Sequence, residues 1–383
     1  MTLTLGQIAG VTDSLAPFRL AYDWDNVGLQ IGDPAAAVKN LLVALEVNAD
    51  SIAFARAKKC EAILSHHPLI FQPARVLRAD DPTQRLVMEL IRHGIGLIAA
   101  HTNLDRVMRG TNGAMAEILG LRDLSILEPV SFAENFKLTV FVPREYTAKL
   151  IEAIHRGGGG RIGNYTHCTF RAAGTGTYIP GEGASPFAGI PGEFEQAHED
   201  RLEAIVPKGG ISSVLREVRQ AHPYEEVAYD LYPLHDAEQK FGLGVVGALS
   251  PKSTVGKIAG LLHERCTSQL TTIIGSPNAE VRKVAIVTGS AGSTIRKISP
   301  ATADVLVTGE LSYHFGVEAK DRGLNVVMVG HAASEKIFAD YFKAELAKNP
   351  TIAKSGLTIH TFSDYPDPML PIAAPIRRKG KRA

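Results

Sequence analysis

His66 and His67 stand side by side in the stretch 62–71, Ala-Ile-Leu-Ser-His-His-Pro-Leu-Ile-Phe, directly after an apolar run. Two further pairs follow the same pattern, His101 with Asp105 and His331 with Glu335, each after an apolar run and each with three residues between the partners. Imidazole and carboxylate together suit zinc, iron, manganese or nickel. A histidine with an acid four residues on sets both side chains on one face of a first helical turn. A lone His pair would be weak, because such pairs are commonly solvated or capping residues. Three clusters in the same structural position point to a two-metal protein.

Carboxylates bridge cations, whereas imidazoles normally bind one each. Asp105 and Glu335 therefore read as bridges, with His66, His67 and His331 as terminal ligands. Two divalent ions about 3.5–4 Å apart would make a shared water acidic and steady a developing oxyanion. Five or six protein ligands leave coordination sites for water or substrate. His101 is the extra member: a ligand, or a hydrogen-bonding or acid–base group beside the metals. Glu310 and His314 are candidates for substrate or proton-transfer roles, against the plainer reading of polar residues that cap a helix.

The elements that position these residues recur. Aligning Val43 with Ile286 matches the pattern without a gap through His67 and Glu310. Each copy has an apolar strand (41–45 and 284–287), a helical stretch, a second strand (61–65 and 304–308), a helix closing on Gly, and a third strand (94–100 and 323–330). Alternating strand and helix at this spacing argues for parallel α/β units. Chemistry in such sheets collects at the carboxyl ends of the strands, where all the candidate ligands fall.

Between the copies, residues 131–240 differ in character. The pattern predicts strands near 136–143, 167–177, 201–206 and 226–232, with helices over 146–156 and 211–220. That order, β-α-β-β-α-β, is that of a ferredoxin-like unit. The fold expected is α/β: a split core of two pseudo-symmetric halves, 1–130 and 241–370, with an inserted ferredoxin-like α+β domain and a basic tail, 371–383. Glycines 157–160 follow a helix, not a strand, and carry no Lys-Ser/Thr, so they make a poor phosphate cradle.

Two other stretches stand out. Tyr22 to Gly32 holds the only Trp, and its Asp25 or Asn26 could contact substrate, although turn chemistry explains them as well. His222-Pro-Tyr-Glu-Glu226 reads as a helix-to-strand corner, with a ligand-binding turn as the sharper alternative.

Composition narrows the class. The chain has 383 residues, 45% hydrophobic and 21% charged, ordinary values for a globular protein with room for two or three domains. A net charge of +1 and the lack of interleaved aromatic and basic residues argue against nucleic acid as a partner. The basic terminus 377–382 reads as a solvated end. Three scattered cysteines suggest reduced thiols in a cytoplasmic protein. Neither a secretory signal nor an apolar run of membrane-spanning length is visible.

Taken jointly, Trp24-Asp-Asn-Val-Gly-Leu29, Ser65-His-His-Pro68, His101-Thr-Asn-Leu-Asp105 and Gly330-His331 through Glu335 resemble the GTP cyclohydrolase 1 type 2 homologues, the NIF-three-like dinuclear-metal family. The stretches 160–165 and 221–226 resemble its longer members, which insert a domain of PII/CutA-like type. The resemblance implies two divalent metals per subunit on His66, His67, Asp105, His331 and Glu335. It also implies a toroidal homohexamer, a trimer of dimers, with its sites facing an internal cavity. The family name implies opening of the GTP imidazole ring with release of formate. One departure is Gly309-Glu-Leu-Ser-Tyr-His314: many members follow the acid with paired histidines, and here Tyr313 replaces the first. The alternatives are phosphoester hydrolysis at the same two-metal clamp, or a metal-binding scaffold or regulator without catalysis.

Overall fold

A computed structural model describes residues 2–130, 135–234, 241–365 and 368. The basic tail expected at 371–383 lies outside the described residues. The chain divides into two compact units: Met1–Val130 together with Gln239–Ala383, and Ser131–Glu238.

The larger unit holds two main sheets. In the first, the strand order is Thr358–Phe362, Asn40–Ala44, Ala62–Ser65, Gly96–Ala99 and Gly28–Ile31. All pairs are parallel except the last. Leu41 to Ala44, Ala62 to Leu64 and Leu97 to Ala99 are fully buried. Continuous apolar runs of this kind are what a parallel sheet covered on both faces demands. In the second sheet the order is Thr272–Ile274, Asn325–Met328, Val305–Glu310, Glu280–Ser290, Gly242–Thr254 and Arg122–Pro129. Its three parallel strands are Asn325–Met328, Val305–Glu310 and Glu280–Ser290; the rest pair antiparallel.

The sheets repeat one register. Val43 faces Leu64 and Ile286 faces Val307, as the gap-free alignment requires. The third strands then depart from the sequence reading. Leu64 faces Ile98 and Val307 faces Val327, which makes His101 the counterpart of Gly330, not of His331. His101 and Gly330 are each the N-cap of the short helix that follows, Thr102–Asp105 or His331–Glu335. The two His-x3-acid pairs are therefore offset by one residue. Only the second sits within its helix, where the i,i+4 spacing closes into a contact.

Two connections close this unit over long sequence distances. The C-terminal strand Thr358–Phe362 pairs with Asn40–Ala44, and the Tyr365 hydroxyl donates to the Glu46 carbonyl at 2.9 Å. Pro129 pairs with Gly242, so the strands on either side of the intervening segment meet.

The smaller unit runs strand Asn135–Pro143, helix Thr147–Arg156, strands Thr169–Tyr178 and Glu195–Pro207, helix Ile211–Ala221 and strand Tyr229–Pro233. The sheet order is fourth, first, third, second, all antiparallel. Leu138, Val140 and Val142 alternate along the first strand and meet Leu150 and Ile154 of one helix and Val214 and Val218 of the other. Period two on the strands and three-to-four on the helices thus share one core.

Candidate metal centre

The carboxyl ends of the parallel strands carry the candidate residues. His66 and His67 follow Ala62–Ser65, and His101 follows Gly96–Ala99. Glu310 ends its strand, and His331 opens the helix that holds Glu335. Ring centroids of His66, His67 and His101 lie 5.1–5.5 Å apart, and His67 lies 5.8 Å from His331. Two groups offer ligand atoms all within 4.8 Å of one another: His66 with His67 and His101, and His67 with His331 and Glu335.

A single arrangement recurs in all four rings. His66 Nδ1 meets the Ala100 carbonyl at 2.8 Å, and His67 Nδ1 meets Glu46 at 3.2 Å. His101 Nδ1 meets Asp25 at 2.9 Å, and His331 Nδ1 meets Glu310 at 3.1 Å. An outer acceptor on Nδ1 fixes ring orientation and leaves Nε2 for the site, which is how metal-ligating imidazoles are held. His67 Nε2 and His331 Nε2 both face Glu335 Oε2, at 3.0 and 3.2 Å. His66 Nε2 is buried without a hydrogen-bond partner, 3.7 Å from Asp105 and 3.9 Å from Glu335. These separations are too long for hydrogen bonds. An orphaned imidazole nitrogen facing two carboxylates is the donor set a divalent cation takes, so the residues fit a metal.

The acids are anchored in turn. Thr111 donates to Asp105 Oδ1 at 2.5 Å, and Asn112 donates to the Asp105 carbonyl at 2.9 Å. Thr288 ties Thr111 and Asn112 to the second sheet. Gly289, at φ +64°, leaves the space occupied by the Glu335 carboxylate; a side chain there would collide with it.

Electrostatics separate the groups. Burial pushes the His66 pKa down to about 3, so the ring stays neutral. Burial also opposes a charge on His67, but the hydrogen bonds to Glu335 and Glu46 outweigh it and hold the ring up at about 10. The hydrogen bond to Glu335 raises His331 to about 9. Burial pushes Asp105 up to about 7, reinforced by the Glu335 charge. Glu335 is buried as well, yet its bonds from His331 and His67 hold it well below the usual carboxylate range. The centre is thus a buried carboxylate compensated by two imidazolium rings, with a neutral imidazole and a second acid beside it.

Of the residues singled out in the sequence, His66, His67, His101, Asp105, His331 and Glu335 come together, and Glu310 joins them through His331. His314 does not: it is exposed near the start of the helix Tyr313–Asp321, with its ring against Tyr313. Asp25 faces inward and has no side-chain exposure. It accepts from His101 and from the backbone and hydroxyl of Thr102. Burial works against its charge, but those bonds prevail and hold its pKa at about 2. Glu46 was missed altogether. Its signal was its place, two residues past a buried parallel strand and beside the strand that delivers His67.

Asp25→Ala should cost metal affinity without removing a ligand, by about 10- to 100-fold, because His101 loses the partner that orients it. Competition with a fluorescent chelator measures this. Unchanged affinity would mean that His101 is held by packing alone or takes no part in holding the metal.

A family model described as Duf34/NIF3 (NGG1p interacting factor 3) matches residues 3–368. The chain belongs to the Duf34/NIF3 family. Among NIF3 relatives, a "GTP cyclohydrolase 1 type 2 homolog" of Halalkalibacterium halodurans is 37% identical over 353 residues, 92% of this chain and 95% of the relative. Its namesake in Bacillus subtilis is also 37% identical, over 92% and 94%. Among solved NIF3 structures, a Bacillus cereus protein related to NIF3 is 33% identical, with a TM-score of 0.76 over 97% of this chain and 99% of its own. Staphylococcus aureus protein SA1388 is 26% identical, with a TM-score of 0.81 over the same shares. Among the described residues, no helix is long and apolar enough to cross a membrane.

Proposed function

We propose that this chain is a divalent-metal-dependent hydrolase acting on GTP or a related nucleotide, with two metal ions per subunit on His66, His67, Asp105, His331 and Glu335. The observation that carries the reading is the orphaned His66 Nε2, facing two carboxylates in a cluster whose other imidazoles turn Nε2 inward. The chemistry that divalent cations supply when bound is Lewis acidity, which polarises a substrate oxygen and makes water acidic near neutral pH.

The chain's own residues do the rest. Glu310, Glu46 and Asp25 hold imidazoles in place through Nδ1. His101 stands at the edge of the cluster, where an imidazole can take or give a proton. Trp24, 56% exposed, stacks on Tyr22 and sets its ring 6.3 Å from His101, with Phe71 at 5.9 Å on another side. A planar heterocycle stacks on such a surface. That favours a nucleobase over an aliphatic substrate and agrees with the name printed for the relatives. We read the smaller unit as a ferredoxin-like insertion, on its element order and its sheet order.

Elemental analysis of purified protein, paired with formate and phosphate assays on GTP, tests the reading. Nearly two metals per chain with formate release supports it; phosphate release instead would move the reaction to phosphoester cleavage. Metal with neither product would leave a scaffold or regulator, and no metal would end the proposal. Stripping the metal should lower the melting temperature, and adding it back should restore it, since a ligand that binds only the folded state stabilises it. Sedimentation of the same preparation near six 41.1-kDa protomers would support the homohexamer that the resemblance implies.

A further inference from the structure

The smaller unit contains a pocket that the metal chemistry does not use. It occupies about 600 Å³ between the Thr169–Tyr178 strand, the loop after it and the corner at Tyr224. A volume of this order holds a small organic molecule. Its floor is polar in one place. Glu199, only 7% exposed, leans over Gly176, where any side chain would meet its carboxylate. Among the described residues no Lys, Arg or His lies within 4 Å of its carboxylate, although His222 feels its charge from farther off, and the pocket lining includes Glu225 and Glu226 but no Lys, Arg or His. Glu225 is already engaged, accepting from the Ser185 backbone at 2.8 Å.

The walls are aromatic. Tyr178 and Phe187 lie 6.4 and 5.8 Å from Tyr224, ring centre to ring centre. The Tyr224 hydroxyl lies against both the Glu199 carboxylate and the Tyr178 hydroxyl; burial first, and then Glu199, push its pKa up, so it serves as a donor. His222 fixes the corner from behind: its Nε2 donates to the Phe141 carbonyl, and its Nδ1 accepts from the Tyr224 backbone. The turn is therefore built to present Tyr224.

Ring faces carry negative potential and attract cations that shed water easily. A buried carboxylate held by a neutral hydroxyl, with His222 sensing its charge from beyond ion-pair distance, leaves room for a ligand that brings a full positive charge. A metal ion would need several oxygen or nitrogen donors converging on one point, whereas this pocket offers one buried carboxylate and ring faces. An anion would be repelled by the glutamates.

We propose that this pocket binds a small organic ammonium ion, with Glu199 as its counter-charge and Tyr178, Phe187 and Tyr224 as its walls. Calorimetry on the full chain tests it with two probes alike in shape: phenethylamine, which is charged, and 2-phenylethanol, which is not. Wild type should bind phenethylamine at least about tenfold more tightly. Glu199→Gln should reduce that preference to about threefold or less, and Phe187→Ala should weaken both probes. Equal binding of the two probes by wild type would overturn the proposal. So would a preference that survives Glu199→Gln, binding indifferent to Phe187→Ala, or no saturable binding of phenethylamine at millimolar concentration. Should Glu199→Gln fail to fold, the two-probe comparison on wild type and Phe187→Ala decides.

Discussion

Glu335→Ala is expected to strip the protein of metal, leaving less than about a tenth of the wild-type content. The carboxylate is 4% exposed and meets His67 and His331 directly, with His66 Nε2 3.9 Å away. It is the carboxylate that lies within 4 Å of His66, His67 and His331 alike. Its loss should also be felt without metal. His67 and His331 would keep their outer carboxylates but lose the buried charge they share, and removal of one member of such a set costs about 3–5 kcal/mol. Elemental analysis and thermal unfolding of chelator-treated protein read the two effects separately. Wild-type metal content in Glu335→Ala would remove Glu335 from the ligand set.

Gly289→Ala should come close to the same metal loss with every candidate ligand intact. A non-glycine residue at φ +64° costs about 1–2 kcal/mol in backbone strain. The added methyl would also run into Glu335 Oε1 and displace the carboxylate. Gly323→Ala is the control, because φ there is +69° and nothing lies within 4 Å of the added carbon. Both variants should lose similar backbone stability, and only Gly289→Ala should lose metal, by more than about tenfold in affinity. Equal metal retention in the two would mean that Glu335 tolerates displacement and does not need its cradle.

Much of this centre was legible in the chain. Apolar runs that end in histidine mark the carboxyl ends of buried strands, and the Val43–Ile286 alignment reproduces the register of the first two parallel strands in each sheet. The third strand shows where reading by pattern stops. A helix can begin one residue earlier or later on the same strand, and spacing alone does not fix which residue becomes the N-cap. His101 and His331 look equivalent in sequence and are not in space. The outer partners were harder still. Asp25 and Glu46 are ordinary acids in a turn and after a strand, and their meaning comes from neighbours 76 and 21 residues away. The pocket around Glu199 gathers residues from 141 to 228, so no local motif announces it.

The pairing of Thr358–Phe362 with Asn40–Ala44 bears on the order of assembly. Synthesis proceeds from the N-terminus, so His66, His67 and His101 emerge long before the strand that completes their sheet. Glu335, which two of the rings require, also comes late. Contacts this distant in sequence close long loops and form slowly. The nascent chain must hold its first parallel strands with one edge open until residues 358–362 have been made, and such edges invite mispairing. Folding of the centre thus waits on residues 358–362, and a chain cut short before residue 358 would keep every candidate ligand yet lack the strand that borders the sheet beneath them.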